Sequence, residues 1–287
     1  MKVLSLFDGI SCGMVAFERA RITVDRYVAY EIDENAIKVS RHNYPLIEQC
    51  GDVTVADFTR YKGFDFLIGG SPCQDLCSMG SHTGLAGEKS KLFFEFVRAL
   101  KEVQPRYFLL ENNASMTKEN RDIISSHMGC EPVLIDSADF SAQMRKRLYW
   151  TNIPIIEYKP KNILIRDILQ NDIPRECVTD KINKYVFSGE YVGRKIEQTT
   201  RRAIRVPDQK SRTISTASYC LSSNCGVCFK IGNEYYKPNQ IEFERLQTLP
   251  DRYTSVLPLQ KAVFAIGNGW TVDVIAHILE GVNNVNN

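Results

Sequence analysis

Two apolar runs in this chain end in side chains that could act together on one substrate. The run 64–68 stops at a Gly-Gly-Ser-Pro turn, residues 69–72, and is followed by Cys73. The glycines, Gly70 among them, allow the backbone to lie close to a ligand, and the proline restricts the residues ahead of the thiol. A second run, 107–110, ends at Glu111. A thiol can act as a nucleophile and a carboxyl group as an acid, so the pair predicts covalent catalysis.

Both runs read as buried strands, and this predicts where their ends meet. If the strands are parallel neighbours, Cys73 and Glu111 lie at the same carboxyl edge of the sheet, where doubly wound folds bind ligands. The pattern favours an α/β fold with a doubly wound, mostly parallel sheet. The alternative is that Cys73 is a small buried apolar residue with no chemical role.

The amino-acid sequences of these segments resemble motifs of the DNA cytosine-5 methyltransferases. The resemblance extends to the short bacterial and phage enzymes and to the animal de novo type. Ser-Pro-Cys-Gln at 71–74 and Glu-Asn at 111–112 match that family's catalytic motifs, and Gln-Met-Arg-Lys-Arg at 143–147 matches its Gln-x-Arg-x-Arg motif. The resemblance implies a Rossmann-like domain that binds S-adenosylmethionine. It implies that Cys73 attacks carbon 6 of a flipped-out cytosine, Glu111 meets ring nitrogen 3, and Arg147 reaches the cytosine oxygen while Arg145 braces the site. Strand alternation over 145–147 would point both arginines to one side of the chain.

The first three strand-to-helix turns predict a cofactor site. A strand at 3–7 leads into a glycine turn and a helix, but the Gly-x-Gly-x-x-Gly dinucleotide fingerprint is absent, which disfavours an oxidoreductase. Glu31 ends the second strand, where it either accepts ribose hydroxyls or caps the next helix. The cofactor contacts that the turns and the resemblance imply are Phe7, Asp8, Gly9, Ile10, Cys12, Glu31, Ile32, Asp52, Val53, Gly70, Leu92, Asn268 and Trp270.

The chain changes character near residue 155. The segment 189–212 holds seven basic and three acidic residues, which indicates either a phosphate-binding surface or a solvated loop. We expect a catalytic domain at 1–154, a target recognition region at 155–235 and a segment at 236–287 that completes the catalytic domain. The predicted DNA contacts are Arg201, Arg202, Arg205, Arg212, Ser222 and Asn224.

The bulk properties narrow the class of protein. Net charge is only +2, so DNA affinity must come from local patches. The start is too acidic for a signal peptide, no twenty-residue apolar stretch occurs, and the nine cysteines are scattered. We expect a cytoplasmic monomer that acts on double-stranded DNA and does not use a membrane. Cys225 and Cys228 lack the partners that a zinc site needs.

Two alternatives use the same fold. One is methylation of RNA, although the Cys-Phe-Thr element of the transfer-RNA enzymes is absent from 155–235. The other is a catalytically silent module that binds cofactor, DNA or a partner, which the presence of Cys73, Glu111 and Arg147 disfavours.

Overall fold

The computed structural model describes residues 1–72, 92–189 and 192–285. The chain forms two compact units. The first comprises Met1–Ile135, Lys146–Glu157 and Val274–Asn287, and the second comprises Asp136–Arg145 and Tyr158–Asp273. The three functional domains expected from the sequence stay a prediction.

Seven of the described strands form one large sheet in the order β3-β2-β1-β4-β5-β7-β6. These strands are β1 (Lys2–Leu6), β2 (Arg26–Tyr30), β3 (Glu48–Gln49), β4 (Phe66–Gly69), β5 (Tyr107–Asn113), β6 (Val133–Asp136) and β7 (Lys146–Thr151). Strands β1 to β5 pair in parallel, and β7 runs antiparallel to β5. The order reverses at β1, so the predicted doubly wound, mostly parallel α/β sheet is confirmed.

Helices follow the strands of the large sheet and also occur in the second unit. The α-helices of the described residues are α1 (Cys12–Arg19), α2 (Glu34–Asn43), α3 (Leu92–Val103), α4 (Lys118–Met128), α5 (Ile165–Ile168), α6 (Thr179–Ile182), α7 (Arg194–Ala203), α8 (Gln240–Leu246), α9 (Leu259–Asn268) and α10 (Val272–Val285). The second unit also holds a small sheet, in the order β10-β9-β8, made of β8 (Ile204–Arg205), β9 (Cys228–Ile231) and β10 (Glu234–Tyr236). The final helix is longer than the span 274–279 expected from its apolar residues.

The core of the first unit explains why a glycine ends β4. Phe93 and Phe96 of α3 are fully buried against the sheet, as their spacing on an amphipathic helix predicts. A Cβ atom at Gly69 would lie 2.8 Å from the carbonyl oxygen of Leu6 and 3.1 Å from the ring of Phe96. Only a glycine therefore allows α3 to pack this closely at the point where β4 ends.

One segment has the length and hydropathy of a membrane span. Leu259–Asn283 reaches a mean hydropathy of 1.4, although 78% of its apolar window is buried inside the protein. The segment is divided between α9 and α10. Buried core helices share these properties, so length and composition are weak evidence for a span.

Candidate functional site

The turn after β1 is held together by a buried carboxylate. Asp8 accepts hydrogen bonds from the hydroxyl groups of Ser5 at 2.6 Å, Ser11 at 2.5 Å and Tyr27 at 2.7 Å. Burial raises the pKa of Asp8 to about 6, although the three hydroxyl donors oppose the shift. The Asp8 carboxylate thus fixes the shape of the turn that the sequence assigns to the cofactor.

Glu31 joins this turn to the end of β2. Its Oε2 accepts from the backbone N–H of Gly9 at 2.7 Å, and its Oε1 accepts from the N–H groups of Ile32 and Asp33, each at 2.8 Å. Asp33, whose side chain accepts from the N–H of Ala36, is the N-cap of α2. The alternative that Glu31 caps this helix is therefore wrong, because Asp33 holds that position.

The remaining predicted cofactor residues of the first unit surround the same sheet edge. Ile32 is 72% exposed, which is high for an isoleucine and leaves an apolar face open beside Glu31. Asp52 caps the 3-10 turn Val53–Val55, and its hydrogen bonds from the N–H and hydroxyl of Thr54 lower its pKa. Of the others, Ile10, Cys12 and Val53 are buried, while Phe7, Gly9, Gly70 and Leu92 are half-buried.

The ends of β4 and β5 are linked by a side-chain amide. The strands pair in parallel, with Gly69 opposite Leu110. Asn112 Nδ2 donates to the carbonyl oxygen of Ser71 at 3.3 Å and to its hydroxyl at 3.1 Å. No pattern in the sequence predicted this link. Cys73, the predicted nucleophile, lies two positions further on and outside the described residues.

Glu111 and Arg147 form an ion pair at this edge. Arg147 Nε lies 2.8 Å from Glu111 Oε1, and the two side chains are 13% and 12% exposed. The antiparallel pairing of β5 and β7 sets Arg147 opposite Asn113, next but one to Glu111, which brings the two groups together. Burying a carboxylate without a partner costs free energy. The Arg147 guanidinium supplies that partner for Glu111.

The surroundings of Arg145 differ from those that strand alternation predicted, and its predicted role in bracing the site stays a prediction. β7 begins at Lys146, so Arg145 precedes the strand, and the argument from spacing two is wrong for this residue. Its side chain is 5% exposed and donates to the carbonyl oxygens of Ile214 at 2.7 Å and Gly269 at 3.0 Å. Arg145 therefore ties together separate segments of the second unit.

Gln143, the glutamine of the same motif, stabilises the fold, and the sequence analysis did not predict this. Gln143 is fully buried and donates to the carbonyl oxygen of Leu246 and the side chain of Gln247, while its own oxygen accepts from the N–H of Ile214. A polar side chain two residues ahead of a basic stretch carries no signal of such burial. The predicted cofactor contacts Asn268, which is exposed, and Trp270, which is half-buried, also belong to the second unit.

The predicted DNA contacts lie on several elements of the second unit. Arg201 and Arg202 are exposed on α7, and Arg201 pairs with Glu197 at 2.9 Å. Arg205 lies on β8, and Arg212 is half-buried in the following segment. Ser222 is half-buried, and Asn224 is exposed ahead of β9. Their roles stay predictions.

The part of the chain that the structure describes contains no group of three or more histidine, cysteine or acidic side chains that could hold a metal ion. Of its cysteines, Cys177 and Cys220 are exposed, and Cys228 is buried.

Comparisons with known proteins point to one family. The sequence profile described as C-5 cytosine-specific DNA methylase matches residues 1–284. The chain is 26% identical to the type II methyltransferase M.Eco47II of Escherichia coli over an alignment of 344 positions, which covers 98% of this chain and 80% of that protein.

A phage relative matches over a shorter stretch. The orphan methyltransferase M.Rho11sI of Bacillus phage rho11s is 38% identical over 114 residues, which is 39% of this chain. The match spans only 23% of the length of that relative.

The methyltransferase EhMeth of Entamoeba histolytica has a similar structure. The TM-score is 0.81 at 16% sequence identity, covering 100% of this chain and 99% of that one. At this identity the likeness concerns the fold alone.

Proposed function

Since the chain belongs to the C-5 cytosine-specific DNA methylase family, we propose that it transfers a methyl group from S-adenosylmethionine to carbon 5 of cytosine in duplex DNA. The observation that carries the proposal is the Glu111–Arg147 ion pair at the edge where β4 leads towards Cys73. An acid and a cation held together beside the strand that precedes Cys73 in the chain match the needs of this reaction.

The chemistry requires a nucleophile because carbon 5 of an aromatic pyrimidine reacts poorly with electrophiles. The Cys73 thiolate forms a bond to carbon 6, and the ring electrons move towards nitrogen 3 and the carbonyl oxygen. Carbon 5 then carries enamine character and can accept the methyl group of S-adenosylmethionine, with S-adenosylhomocysteine as the second product. A base or water takes the proton from carbon 5, the thiolate departs, and the aromatic ring of 5-methylcytosine is restored.

Glu111 and Arg147 would stabilise the charge that this addition creates. Glu111 hydrogen-bonds or protonates nitrogen 3, and Arg147 donates to the cytosine oxygen. The ion pair at 2.8 Å engages Glu111 Oε1 and keeps the two groups adjacent before the substrate arrives. Because neither group can reach a base inside a stacked helix, the cytosine must be flipped out of the duplex.

The residues at the carboxyl edge of the first unit fit an adenosyl ligand. Exposed Ile32 offers an apolar surface for a purine, and Glu31, held by three backbone N–H groups, has a fixed orientation beside it. We propose that Glu31 accepts the ribose hydroxyls and that Asp52 meets the adenine amino group. When bound, S-adenosylmethionine supplies an electrophilic methyl group.

A transfer assay tests the proposal directly. Purified protein is incubated with labelled S-adenosylmethionine and mixed-sequence duplex DNA, and the DNA is then sequenced after bisulfite treatment. We expect label in DNA and protected cytosines in one sequence context. Cys73→Ser should abolish transfer, and the matched variant Cys177→Ser, at an exposed cysteine of the second unit, should retain it.

Parallel reactions with transfer RNA and with no nucleic acid distinguish the alternatives. If label appeared in RNA and not in DNA, the substrate would be RNA. Cofactor binding by calorimetry without transfer to either nucleic acid would favour a silent module and contradict the proposed reaction.

A further inference from the structure

The second unit contains a cleft that is distinct from the predicted catalytic groups. Its volume is about 360 Å³, and its wall includes Phe187, Arg201, Arg205, Gln209, Lys230 and Tyr235. These residues come from the π-helical turn Asn183–Phe187, from α7, from β8 and the segment after it, and from β9 and β10. All of them lie within Tyr158–Asp273, so the second unit supplies the whole cleft.

Two aromatic rings form one side of the cleft. The ring centroids of Phe187 and Tyr235 are 6.2 Å apart, at an interplanar angle of 34°. Phe187 is 55% exposed, a large apolar surface for a residue outside the core. A flat apolar ring that is open to solvent is suited to contact with a planar ligand such as a nucleobase.

Cations surround these rings. The Arg201 guanidinium lies 5.5 Å from the centroid of Phe187, and the Lys230 ammonium lies 5.8 Å from the centroid of Tyr235. No acidic side chain lines the cleft within the described residues. Arg201 is partly neutralised by Glu197, whereas Lys230 has no carboxylate within ion-pair distance in the described ranges.

A second basic pair adds to the positive charge. Arg205 donates to the carbonyl oxygens of Arg202 and Ile204, and its pKa is lowered by burial and by the charge of Arg212. Arg212 Nη1 is buried and has no hydrogen-bond partner among the residues that the structure describes. A buried cationic donor without a partner is costly, and an anion close by would relieve both the repulsion and the missing hydrogen bond.

We propose that this cleft binds one nucleotide of the DNA other than the target cytosine. Lys230 and Arg205 hold its phosphate, and Phe187, backed by the buried ring of Tyr235, contacts its base or sugar. Basic side chains beside an exposed aromatic ring are the pattern by which proteins hold an unstacked nucleotide. The volume lies near the lower end of the ~300–1,000 Å³ range of ligand sites, which suits one nucleotide better than a duplex. The inference rests on the proposed function only in taking DNA as the polymer.

Binding measurements on the full chain test this inference. Fluorescence anisotropy gives the Kd for a labelled duplex and for the same duplex with one unpaired nucleotide, at several salt concentrations. The variants are Phe187→Ala, Phe187→Leu and Lys230→Gln. The matched controls are Phe264→Ala and Lys261→Gln, both exposed on α9.

We expect each substitution to remove a separable part of the binding. Phe187→Ala should weaken binding of the unpaired-nucleotide DNA about tenfold, and Phe187→Leu, which keeps apolar area but loses the ring, should weaken it nearly as much. Lys230→Gln should weaken both DNAs and reduce the salt slope by about one. The two α9 controls should bind like the wild type.

Two outcomes would overturn the inference. In the first, the Phe187 and Lys230 variants bind as their α9 controls do. In the second, a polyglutamate peptide displaces DNA from the wild type but not from Lys230→Gln, and does so at lower concentration than single-stranded DNA, which would assign the cleft to an acidic peptide.

These outcomes are separate from the failure of the proposed function. If the wild type transfers methyl groups while the cleft variants bind normally, only the cleft inference fails. If the wild type transfers no methyl group to DNA but the cleft variants still weaken DNA binding, only the proposed reaction fails.

Discussion

Glu111 in the first unit and Glu242 in the second both face an arginine, and the surroundings of the two carboxylates differ. Glu242 is fully buried; its Oε1 lies 2.5 Å from Arg175, and its Oε2 accepts from the N–H of Asn239 at 3.0 Å. Glu111 is paired with Arg147 through Oε1, and both of these side chains keep some exposure. Glu242 is engaged on both oxygens by the protein, whereas the pair at the sheet edge is partly open.

This difference in surroundings indicates that one glutamate–arginine pair serves the fold and that the other can meet a substrate. Glu242 completes the capping box of α8 and fixes the segment around Arg175, so its charge serves the fold of the second unit. Glu244 is likewise fully buried and accepts from the N–H groups of Arg252 and Thr254. At the sheet edge a carboxylate with less protein around it can meet a substrate. A substitution of Glu111 should therefore mainly lower turnover, whereas a substitution of Glu242 should mainly lower stability.

After Cys73→Ser, the largest effect on turnover is expected for Glu111→Gln. The amide cannot protonate nitrogen 3, so kcat should fall by about 10²–10⁴, the range for loss of a general acid. Single-turnover methyl transfer with the purified variant measures this, and circular dichroism checks its fold. A variant that turns over within threefold of the wild type would remove Glu111 from the chemistry.

The largest effect on stability is expected for Glu242→Gln. Removing one partner of a buried pair leaves Arg175 without its counter-charge, which should lower the free energy of unfolding by about 3–5 kcal/mol. Urea denaturation measures the loss, and kcat per folded molecule should stay near the wild-type value. A large loss of kcat in a stable Glu242→Gln protein would contradict the claim that Glu242, unlike Glu111, serves stability and not turnover.

Asp8 lies at the sheet edge and is partly buried, and the effect of burial on its pKa predicts a pH dependence. Its pKa is raised from 3.8 to about 6, so the folded protein binds a proton that the unfolded chain has lost. This contribution to stability is fully present below about pH 4 and is lost as the pH rises to about 6, at roughly 2–3 kcal/mol in total. Urea denaturation of wild type and Asp8→Asn between pH 4 and 7 tests it. Parallel curves for the two proteins would show that Asp8 does not titrate in this range.

A smaller effect is expected at Glu31. Glu31→Ala removes the proposed ribose acceptor and frees the N–H of Gly9, so the Kd for S-adenosylmethionine should rise about tenfold, the equivalent of about 1.4 kcal/mol. Isothermal calorimetry measures the affinity. Glu34→Ala, at an exposed acid in the first turn of α2, is the matched control and should bind normally. Equal affinities for the two variants would remove Glu31 from the cofactor site.

Local sequence signals were enough to predict the sheet and its turns. The apolar runs ending at Gly69, Glu31 and Glu111 became β4, β2 and β5, because a short buried run bounded by turn residues has few other conformations available. The order of the strands was not predicted, because the pattern favoured a doubly wound sheet without assigning the neighbours of most strands.

Contacts between distant segments could not be predicted in this way. The amide link from Asn112 to Ser71 and the ring contact of Phe187 with Tyr235 join residues far apart in the chain, and no periodicity encodes such pairs. The alternation expected over 145–147 fails at Arg145 because β7 begins one residue later, at Lys146.

The most direct test of the central claim is to trap the covalent bond to Cys73. Duplex DNA that carries 5-fluorocytosine at the target position found by bisulfite sequencing cannot lose the substituent of carbon 5 as a proton, so the thiol adduct should persist. With S-adenosylmethionine present, mass spectrometry should find one DNA strand and one methyl group on the Cys73 peptide, while Cys73→Ser forms no adduct and Cys177→Ser forms it normally. An adduct on another residue, or one that survives Cys73→Ser, would contradict the account.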